Sequence, residues 1–409
     1  MTSGVAKVSE THYQIMISKT GLAYVSTLII VALWGSSVSC HPLATSADLR
    51  NRALADADIA RLDTQPAPPS VETKGAEVSK SWVEVPVHYA TRRDIQGGKD
   101  LEGYYGGNDD TLKYGVATVT IPDHYRPGKE DMRGYCRFLP GPLSCKREPS
   151  NAVTLGAIDE LSAQSWLRSL NALTAASDTI DALVYVHGYN NSFVDAVERA
   201  AELSYDIGFG GVALAYDWSS RNNIPDYAID QETAERSVPD FKKFLLRVAD
   251  SAHVRRIAIV AHSMGTRLVS YAMRDLASER PALRLGAVVF AASDVDSAIF
   301  VDQMAASVSR GGHPVTLYAS SRDKVIRLSA NVVHAARRVG SGPPSIISRE
   351  GIEYVDASAI DTDLLGHGYF AENVKAVNDL YLVIRYLLSA KDRHLPTVTA
   401  GSTTYYRLP

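Results

Sequence analysis

Short apolar runs alternate with stretches of helical spacing over the second half of the chain. The apolar runs lie at residues 182–186, 212–216, 257–261, 287–290, 315–319 and 352–355. Runs of this length without polar alternation are typical of strands buried on both faces of a parallel sheet. Helical spacing occurs at residues 157–175, 192–207, 234–249, 265–276 and 371–388. The pattern predicts an α/β domain over residues 151–390, with a mostly parallel central sheet and helices on both faces.

The residues outside this domain show other patterns. Segments 82–90 and 114–121 are rich in alternating or β-branched apolar residues between Gly and Pro, which predicts strands and an N-terminal β-extension over residues 80–150. Residues 40–79 are rich in Ala, Asp and Pro, which predicts a disordered tether. Residues 391–409 are polar and predict a loosely held C-terminal tail.

Residues 1–39 have the pattern of a signal peptide. Lys19 precedes an uncharged apolar run at 21–35, and small residues follow it. The run is shorter than the roughly 20 residues that a membrane-spanning helix needs. It ends in Ser37-Val38-Ser39-Cys40, which resembles the lipobox of bacterial lipoproteins. We expect export to the cell envelope and a lipid anchor on Cys40, facing the periplasm or the exterior; plain secretion and an uncleaved anchor are the alternatives.

Composition and charge narrow the classes of function. The chain has 409 residues, is 45% hydrophobic and carries a formal net charge of −4. Without a Lys/Arg-rich block it lacks the basic surface of a nucleic-acid-binding protein, so we expect no nucleic-acid partner. Three cysteines are too few for a Cys-rich metal site, and we expect no metal. The other two cysteines, Cys136 and Cys145, either form a disulfide in an oxidising compartment or remain two free thiols.

The strand at 257–261 runs directly into Ala261-His262-Ser263-Met264-Gly265, and a helix follows. This order is typical of a nucleophile elbow, a sharp turn that lifts a serine hydroxyl above the sheet. The strand and helix approach closely there, so the residues two before and two after the serine must be small. Ala261 and Gly265 meet that requirement, and we interpret Ser263 as a catalytic nucleophile.

A serine hydroxyl is a weak nucleophile at neutral pH and needs a base that an acid orients. His367 lies between two glycines in a loop after the last predicted strand, and we expect it to be the base. Asp323 follows the strand at 315–319, at the sheet edge where catalytic groups of parallel sheets gather, and is the expected acid. Asp294, after the preceding strand, is the alternative acid, and Asp296 beside it is a further one.

Cleavage of an acyl bond places negative charge on the carbonyl oxygen, which backbone N–H groups can stabilise. Met264, directly after the nucleophile, is the first expected donor to this oxyanion hole. The loop Val186-His187-Gly188-Tyr189-Asn190 after an early strand supplies the second, from the N–H of Tyr189 or of Asn190. We expect His187 to fix that loop by hydrogen bonding.

Taken together, these segments resemble a bacterial family of α/β hydrolases of unassigned role, described as esterase- or lipase-like and including exported lipoproteins. The segments that carry the resemblance are PVHYATRRD (86–94), YGVATVTIPDH (114–124), VYVHGYNNSF (184–193), YDWSS (216–220), AHSMG (261–265), ASDVD (292–296), SSRDKVIRLS (320–329) and GHGYF (366–370). The resemblance implies the α/β-hydrolase fold and a Ser–Asp–His triad. It does not imply a particular substrate.

From these observations we expect a serine hydrolase that cleaves a carboxylic ester of a lipid or a small molecule, with no metal or organic cofactor. Two alternatives stay open. An amidase or peptidase would use the same triad. An envelope-tethered binding or assembly protein on a hydrolase scaffold would instead use the β-extension and the tether.

Overall fold

The computed structural model describes residues 81–97, 101–128, 147–174, 180–251, 253–360 and 367–409. All of them belong to one compact unit. The predicted signal peptide, the tether, Cys40, Cys136 and Cys145 lie outside the described residues, so the structure leaves those predictions as they stand.

The described residues form a single sheet of eleven strands. The strands are β1 (Trp82–Thr91), β2 (Lys113–Pro122), β3 (Thr154–Leu161), β4 (Ile180–Val186), β5 (Val212–Asp217), β6 (Val254–His262), β7 (Leu285–Ala291), β8 (Val315–Ala319), β9 (Glu353–Asp356), β10 (Thr397–Ala400) and β11 (Thr403–Arg407).

Helices fill most of the connections between strands. The α-helices are α1 (Ala163–Thr174), α2 (Phe193–Asp206), α3 (Tyr227–Arg236), α4 (Val238–Ala249), α5 (Gly265–Glu279), α6 (Ser297–Ile299), α7 (Ala305–Val308), α8 (Lys324–Leu328), α9 (Tyr369–Glu372) and α10 (Val374–Tyr386). Short 3-10 helices lie at Leu101–Gly103, Ile224–Asp226 and Val339–Ser341, and π-helical turns at Phe300–Met304 and Ser329–Val333. Within the described part of the chain, no helix has both the length and the apolar character needed to cross a membrane.

The spatial order of the strands is β10-β11-β9-β8-β7-β6-β4-β5-β1-β2-β3. The run from β11 to β1 is parallel throughout, whereas β10, β2 and β3 join the two edges antiparallel. The prediction of a mostly parallel sheet is therefore confirmed. The carboxyl ends of the parallel strands meet at one edge, where the candidate catalytic residues lie.

The strands are apolar on both sides because each face of the sheet packs against helices. On β6, Ile257, Ile259 and Ala261 belong to one buried cluster, while Ala258 and Val260 belong to the other. This period of two is the alternation of side chains along a strand. One cluster includes residues of α1, α4 and α5, and the other includes residues of α2 and α10. The expected helices on both faces are present.

The β-extension continues the central sheet. β1 pairs with β2 antiparallel and with β5 parallel, so the extension is attached directly to the parallel strands of the central sheet. β3 also pairs with β2, which carries this antiparallel part beyond the expected boundary at residue 150. Residues 157–161 are strand rather than helix, because their polar side chains lie on an edge strand that is largely exposed.

The last residues differ most from expectation. The segment 391–409, predicted to be a loose tail, contains the hairpin β10–β11, and β11 pairs with β9. Arg393, which precedes the hairpin, is buried and forms an ion pair of 2.9 Å with Asp379. Two Thr-rich runs separated by Gly401-Ser402 have the residue pattern of an edge hairpin. Because the runs are polar, they lack the hydrophobic signal that predicts a strand.

One segment that was predicted to form a single helix forms parts of two. The segment 234–249 contains the end of α3 and the whole of α4, which meet at Ser237. Pro239 lies in the first turn of α4, where its missing N–H is tolerated and where it prevents one continuous helix.

Candidate active site

Ser263 occupies a sharp turn between β6, which ends at His262, and α5, which begins at Gly265. Its φ of 50° is in the left-handed region, which costs a residue with a Cβ roughly 1–2 kcal/mol. Neighbouring backbone holds the turn: the Ser263 N–H donates to the Ala291 carbonyl (2.9 Å), and the Asp294 N–H donates to the Ser263 carbonyl (3.2 Å). The strained serine conformation of a nucleophile elbow is therefore present at Ser263.

The turn lies so close to the loop after β4 that glycine is required at two positions. A Cβ on Gly265 would lie 2.3 Å from the His187 carbonyl oxygen. A Cβ on Gly188 would lie 2.8 Å from the Ser263 Cβ. Real Cβ atoms do not approach so closely, so the missing side chains let the His187–Gly188 backbone lie against Ser263.

Asp323 and His367 meet at the carboxyl edge of the sheet. Nδ1 of His367 lies 2.8 Å from Oδ2 of Asp323, which is fully buried. A carboxylate only accepts, so Nδ1–H donates and the lone pair of Nε2 is left to act as a base. The other oxygen, Oδ1, accepts from the N–H of Ile326 (2.9 Å) and caps α8. Asp323 thus serves as partner of the histidine and as helix cap at once.

Tyr369 anchors the loop that carries His367. Its hydroxyl donates to the carbonyl of Tyr318 (2.8 Å) and accepts from the N–H of Ala292 (3.1 Å), which ties the start of α9 to the ends of β8 and β7. The side chain is fully buried, and burial raises the pKa of its hydroxyl well above the usual value. A buried anchor two residues away limits how far His367 can move.

Asp294, the alternative acid, has other partners. Its carboxylate accepts from the hydroxyls of Ser329 (2.6 Å) and Tyr227 and lies 3.3 Å from Nε of Arg338. Asp296 caps α6 by accepting from the N–H groups of the next helical turn. The structure therefore places Asp323 beside the histidine, and Asp294 and Asp296 in separate polar contacts.

Of the two expected oxyanion donors, one follows Ser263 in the chain and the other lies in the facing loop. Met264 directly follows Ser263 and is buried. In the facing loop, the Asn190 N–H is held by the carboxylate of Asp230. With Asn190 engaged in that way, the N–H of Tyr189, next to the closely packed Gly188, is the remaining candidate of the two.

His187 fixes this loop, as its position predicts. Nδ1 lies 2.8 Å from the Gly188 carbonyl and Nε2 lies 2.9 Å from Oδ1 of Asp217. The ring stacks on Trp218 with 5.0 Å between centroids and an angle of 10°, and the Trp218 indole N–H donates to the His187 carbonyl (2.7 Å). His187 and Asp217 are fully buried, so loop and strand end form one packed unit.

Sequence reasoning missed Arg93 as part of this unit. Nε of Arg93, at the end of β1, lies 2.8 Å from Oδ2 of Asp217. Its terminal nitrogens donate to the carbonyls of Ser220 (2.6 Å) and Asn191 (2.8 Å). Burial by itself raises the pKa of the Asp217 carboxyl, but Arg93 and His187 together bring it below its usual range. The Arg-Arg-Asp sequence at 92–94 was the available signal.

His262 supports the elbow from the side of the histidine loop. Its Nε2 lies 3.2 Å from the His367 carbonyl, and its ring lies 4.6 Å from the His367 ring and 4.7 Å from Phe370 between centroids. Burial lowers the pKa of His262 well below its usual value, with the nearby His367 adding to the effect. A ring that stays neutral and packs below the turn supports the structure there.

His262, the residue before Ser263, thus brings the elbow into contact with the loop that carries His367. Among the residues that the structure describes, no three His, Cys, Asp or Glu side chains are grouped to hold a metal ion.

Comparison with known sequences gives one family. A model described as "Alpha/beta hydrolase of unknown function (DUF900)" matches residues 159–385, more than half of the chain. A search of curated proteins finds no match.

Solved structures with a related chain trace are hydrolases by their descriptions. A predicted CIB-like hydrolase from Thermoplasma acidophilum is 16% identical, with 57% of this chain and 91% of that chain covered and a TM-score of 0.32. A hyperthermophilic esterase from the archaeon Pyrobaculum calidifontis is 11% identical, with coverages of 89% and 97% and a TM-score of 0.34. The carboxylesterase EstE1, cloned from a metagenomic library, is 14% identical, with coverages of 84% and 98% and a TM-score of 0.34. Similarity at this level says nothing about activity or substrate.

Proposed function

The chain belongs to the α/β-hydrolase family of unknown function that its residues 159–385 match, and on that premise we propose that it is a serine hydrolase of carboxylic esters. Ser263 is the nucleophile, His367 the general acid–base and Asp323 the group that orients it. Met264 and Tyr189 donate their backbone N–H groups to the oxyanion. The substrate is an ester-containing small molecule or lipid.

The first half of the reaction forms an acyl-enzyme. The Ser263 hydroxyl oxygen attacks the ester carbonyl carbon while its proton passes to Nε2 of His367. The carbonyl oxygen takes the negative charge and accepts from the two backbone N–H groups. The tetrahedral intermediate then expels the alcohol oxygen, which receives the proton from His367.

The second half uses water in place of serine. His367 removes a proton from a water molecule, whose oxygen attacks the acyl carbon. Collapse of the second tetrahedral intermediate breaks the bond to Ser263, and the proton on His367 returns to the serine oxygen. The carboxylic acid leaves, and the site is as it was before the reaction.

The observation that carries the proposal is the Nδ1–Oδ2 contact of 2.8 Å between His367 and Asp323, in a chain whose Ser263 has the left-handed φ of 50° of an elbow serine. Because Nδ1 of His367 donates to Asp323, Nε2 is the ring nitrogen that can serve as the base. The backbone conformation of the elbow is energetically costly, and it presents the hydroxyl of Ser263. Three parts of the chain separated by 60 and 44 residues supply these groups.

A fluorophosphonate probe tests the nucleophile. We expect covalent labelling of the wild-type protein and none of Ser263→Ala, with ester hydrolysis lost in parallel. Ser270→Ala is a matched control, since Ser270 is buried in α5 and donates to the Thr266 carbonyl (2.7 Å). Equal labelling of wild type and Ser263→Ala, or no labelling of either, contradicts the proposal.

Turnover of p-nitrophenyl esters of increasing chain length against the matched anilides separates an esterase from an amidase with the same triad. The binding or assembly alternative predicts that Ser263→Ala keeps the biological phenotype while loss of residues 80–150 removes it. The position of Arg93 favours the enzyme, since it connects the β-extension to the loop beside Ser263.

From the sequence alone we further propose that the protein is exported and lipid-anchored through Cys40. The support is the apolar run at 21–35 followed by Ser37-Val38-Ser39-Cys40. Metabolic labelling with a radioactive fatty acid tests it: label on the wild type and none on Cys40→Ala is expected. An unlabelled wild type found in the medium would indicate plain secretion instead.

A further inference from the structure

A cavity of about 400 Å³ is lined by residues that the proposed reaction does not use, in the segment that follows Asp323. Its walls come from α8, the π-helical turn after it, and the loop at 335–345. The polar groups that line it are Arg327, Asn331, Arg337, Ser341 and Ser345. Volumes of this order are typical of sites for small molecules.

The positive charge of the two arginines that line the cavity is not balanced by an acidic residue in its walls. Arg327 and Arg337 are exposed, and within the described part of the chain neither forms an ion pair. The surrounding segment 320–345 carries five Lys or Arg residues and one acid, Asp323, in a chain whose net charge is −4. That acid is buried and engaged with His367, so it does not neutralise the two arginines.

The arginine next to Arg337 in the chain has an acidic partner. Arg338, next to Arg337, is buried and paired with Asp294 at 3.3 Å. A second, smaller cavity of about 80 Å³ near the start of β6 also contains arginines. There, however, Arg255 and Arg256 each lie 2.9 Å from Asp181. In the larger cavity, by contrast, neither arginine forms an ion pair with a described residue.

The cavity is tied to the catalytic edge of the sheet. Arg327 lies one helical turn from Asp323, and its N–H donates to the Asp323 carbonyl (3.1 Å). The Gly340 carbonyl accepts from the N–H of Ser320, directly after β8, at 3.2 Å. A turn of helix rises about 5.4 Å. One wall of the cavity and the aspartate that contacts His367 therefore belong to the same short helix and its N-cap.

We propose that this cavity binds the phosphate group of a phosphorylated ester substrate. The inference rests on the proposed ester hydrolysis and names its substrate class. Two guanidinium groups match the charge of a phosphate, which each can bind with two parallel N–H donors. Asn331, Ser341 and Ser345 add neutral polar groups for the remaining oxygens. The ester carbonyl then reaches Ser263 while the phosphate is held at Arg327 and Arg337.

Binding is measured first, on the catalytically inactive Ser263→Ala chain, by calorimetric titration with inorganic phosphate and with acetate. We expect saturable phosphate binding that is stronger than acetate binding. Arg327→Gln and Arg337→Gln should each weaken phosphate binding about tenfold, and the double variant should abolish it. Arg310→Gln, an exposed arginine outside the cavity, is the control for loss of charge and should change the affinity less than twofold.

Turnover is measured next, with dibutyrylglycerol and its phosphate monoester. The wild type should prefer the phosphorylated ester in kcat/KM by at least tenfold. The double Gln variant should lose that preference and keep its activity on the neutral ester. The double Lys variant, which keeps both charges without the planar fork, should retain part of the preference.

Several results would overturn the proposal. No saturable phosphate binding by the Ser263→Ala chain would refute the site without any further variant. A loss of affinity in Arg310→Gln equal to that in the cavity variants would show general charge attraction only. Phosphate binding without substrate preference would refute the substrate class. Intact phosphate binding with no ester turned over by the wild type would instead count against the hydrolase proposal and leave the anion site standing.

Discussion

Arg93 at the end of β1 and Asp217 at the end of β5 form a buried ion pair, with Nε 2.8 Å from Oδ2 and Nη2 2.9 Å from Oδ1. Each member has a second attachment to the candidate active site. Asp217 contacts the His187 ring (2.9 Å), and Arg93 donates to the Asn191 carbonyl (2.8 Å). The β-extension thus supplies a charge that holds the loop beside Ser263.

Arg93→Met is expected to damage both stability and catalysis. It leaves the Asp217 carboxylate buried without its cation, a change that typically costs about 3–5 kcal/mol. Below the unfolding temperature, the loosened loop should lower kcat at least tenfold with little change in KM, because the oxyanion donor is displaced in the transition state. Urea unfolding and steady-state ester hydrolysis measure the two effects.

Arg92→Met is the matched control. Arg92 pairs with Asp240 (2.9 Å) and donates to the Asp109 carbonyl, away from the nucleophile loop. It should keep kcat within about twofold. If Arg93→Met is destabilised as expected yet keeps full kcat, the ion pair supports the fold and not the loop.

The two candidate acids contact different side chains, so replacing each of them should have a different effect on activity. Asp323→Asn keeps the shape but removes the charge that orients Nδ1–H of His367, and kcat should fall about 10³–10⁴-fold, as when the acid of such a triad is neutralised. Asp294→Asn changes a carboxylate that contacts Tyr227, Ser329 and Arg338, and should retain far more activity. A larger kcat loss in Asp294→Asn than in Asp323→Asn would reverse the assignment.

Gly188→Ala tests the close approach of the loop to the nucleophile. The new methyl group would lie 2.8 Å from the Ser263 Cβ and 3.1 Å from Nδ1 of His262, so backbone must shift. We expect at least a tenfold fall in kcat, because a shift near 1 Å misplaces the Tyr189 N–H. Gly210→Ala, where a Cβ meets nothing within 4 Å, should leave kcat unchanged. Full activity in Gly188→Ala would remove this loop from the oxyanion hole.

Stability should fall in acid because of His88. Burial lowers the pKa of His88 from 6.5 to about 4, and the side chain joins β1 to α1 through Ser169 (2.8 Å). The unfolded chain therefore binds a proton on His88 at a higher pH than the folded chain does, so stability is present above pH about 6.5 and is lost as pH falls towards about 4. At pH 4.5 the loss from this one group is about 2–3 kcal/mol.

Urea unfolding of wild type and His88→Gln at pH 7 and pH 4.5 measures this contribution. The variant should lose less stability than the wild type between the two pH values, by about the amount given above. His124→Gln, at an exposed histidine after β2, should behave as the wild type. Identical acid sensitivity in His88→Gln and wild type would show that His88 is not responsible.

Several features could be predicted because they depend on neighbours along the chain. Period-two and helical spacing located the strands and helices of the core, and the strand–turn–helix around Ser263 marked the elbow. The Gly-flanked His367 and the aspartate after β8 were found in the same way, since parallel strands bring their carboxyl ends together. The strands at the edges of the sheet were harder to predict. The hairpin β10–β11 and strand β3 are polar, and polar strands have a weaker hydrophobic signal.

What the sequence by itself determined is the class of fold and a short set of candidate groups, because burial patterns and turn chemistry are local. Only the tertiary structure placed Asp323 rather than Asp294 beside His367, placed the Asn190 N–H on Asp230, and joined Arg93 to Asp217 across 124 residues. These are pairings between side chains at strand ends that many arrangements of the same local elements would permit. Their choice depends on strand order, and strand order is set by the packing of the whole core.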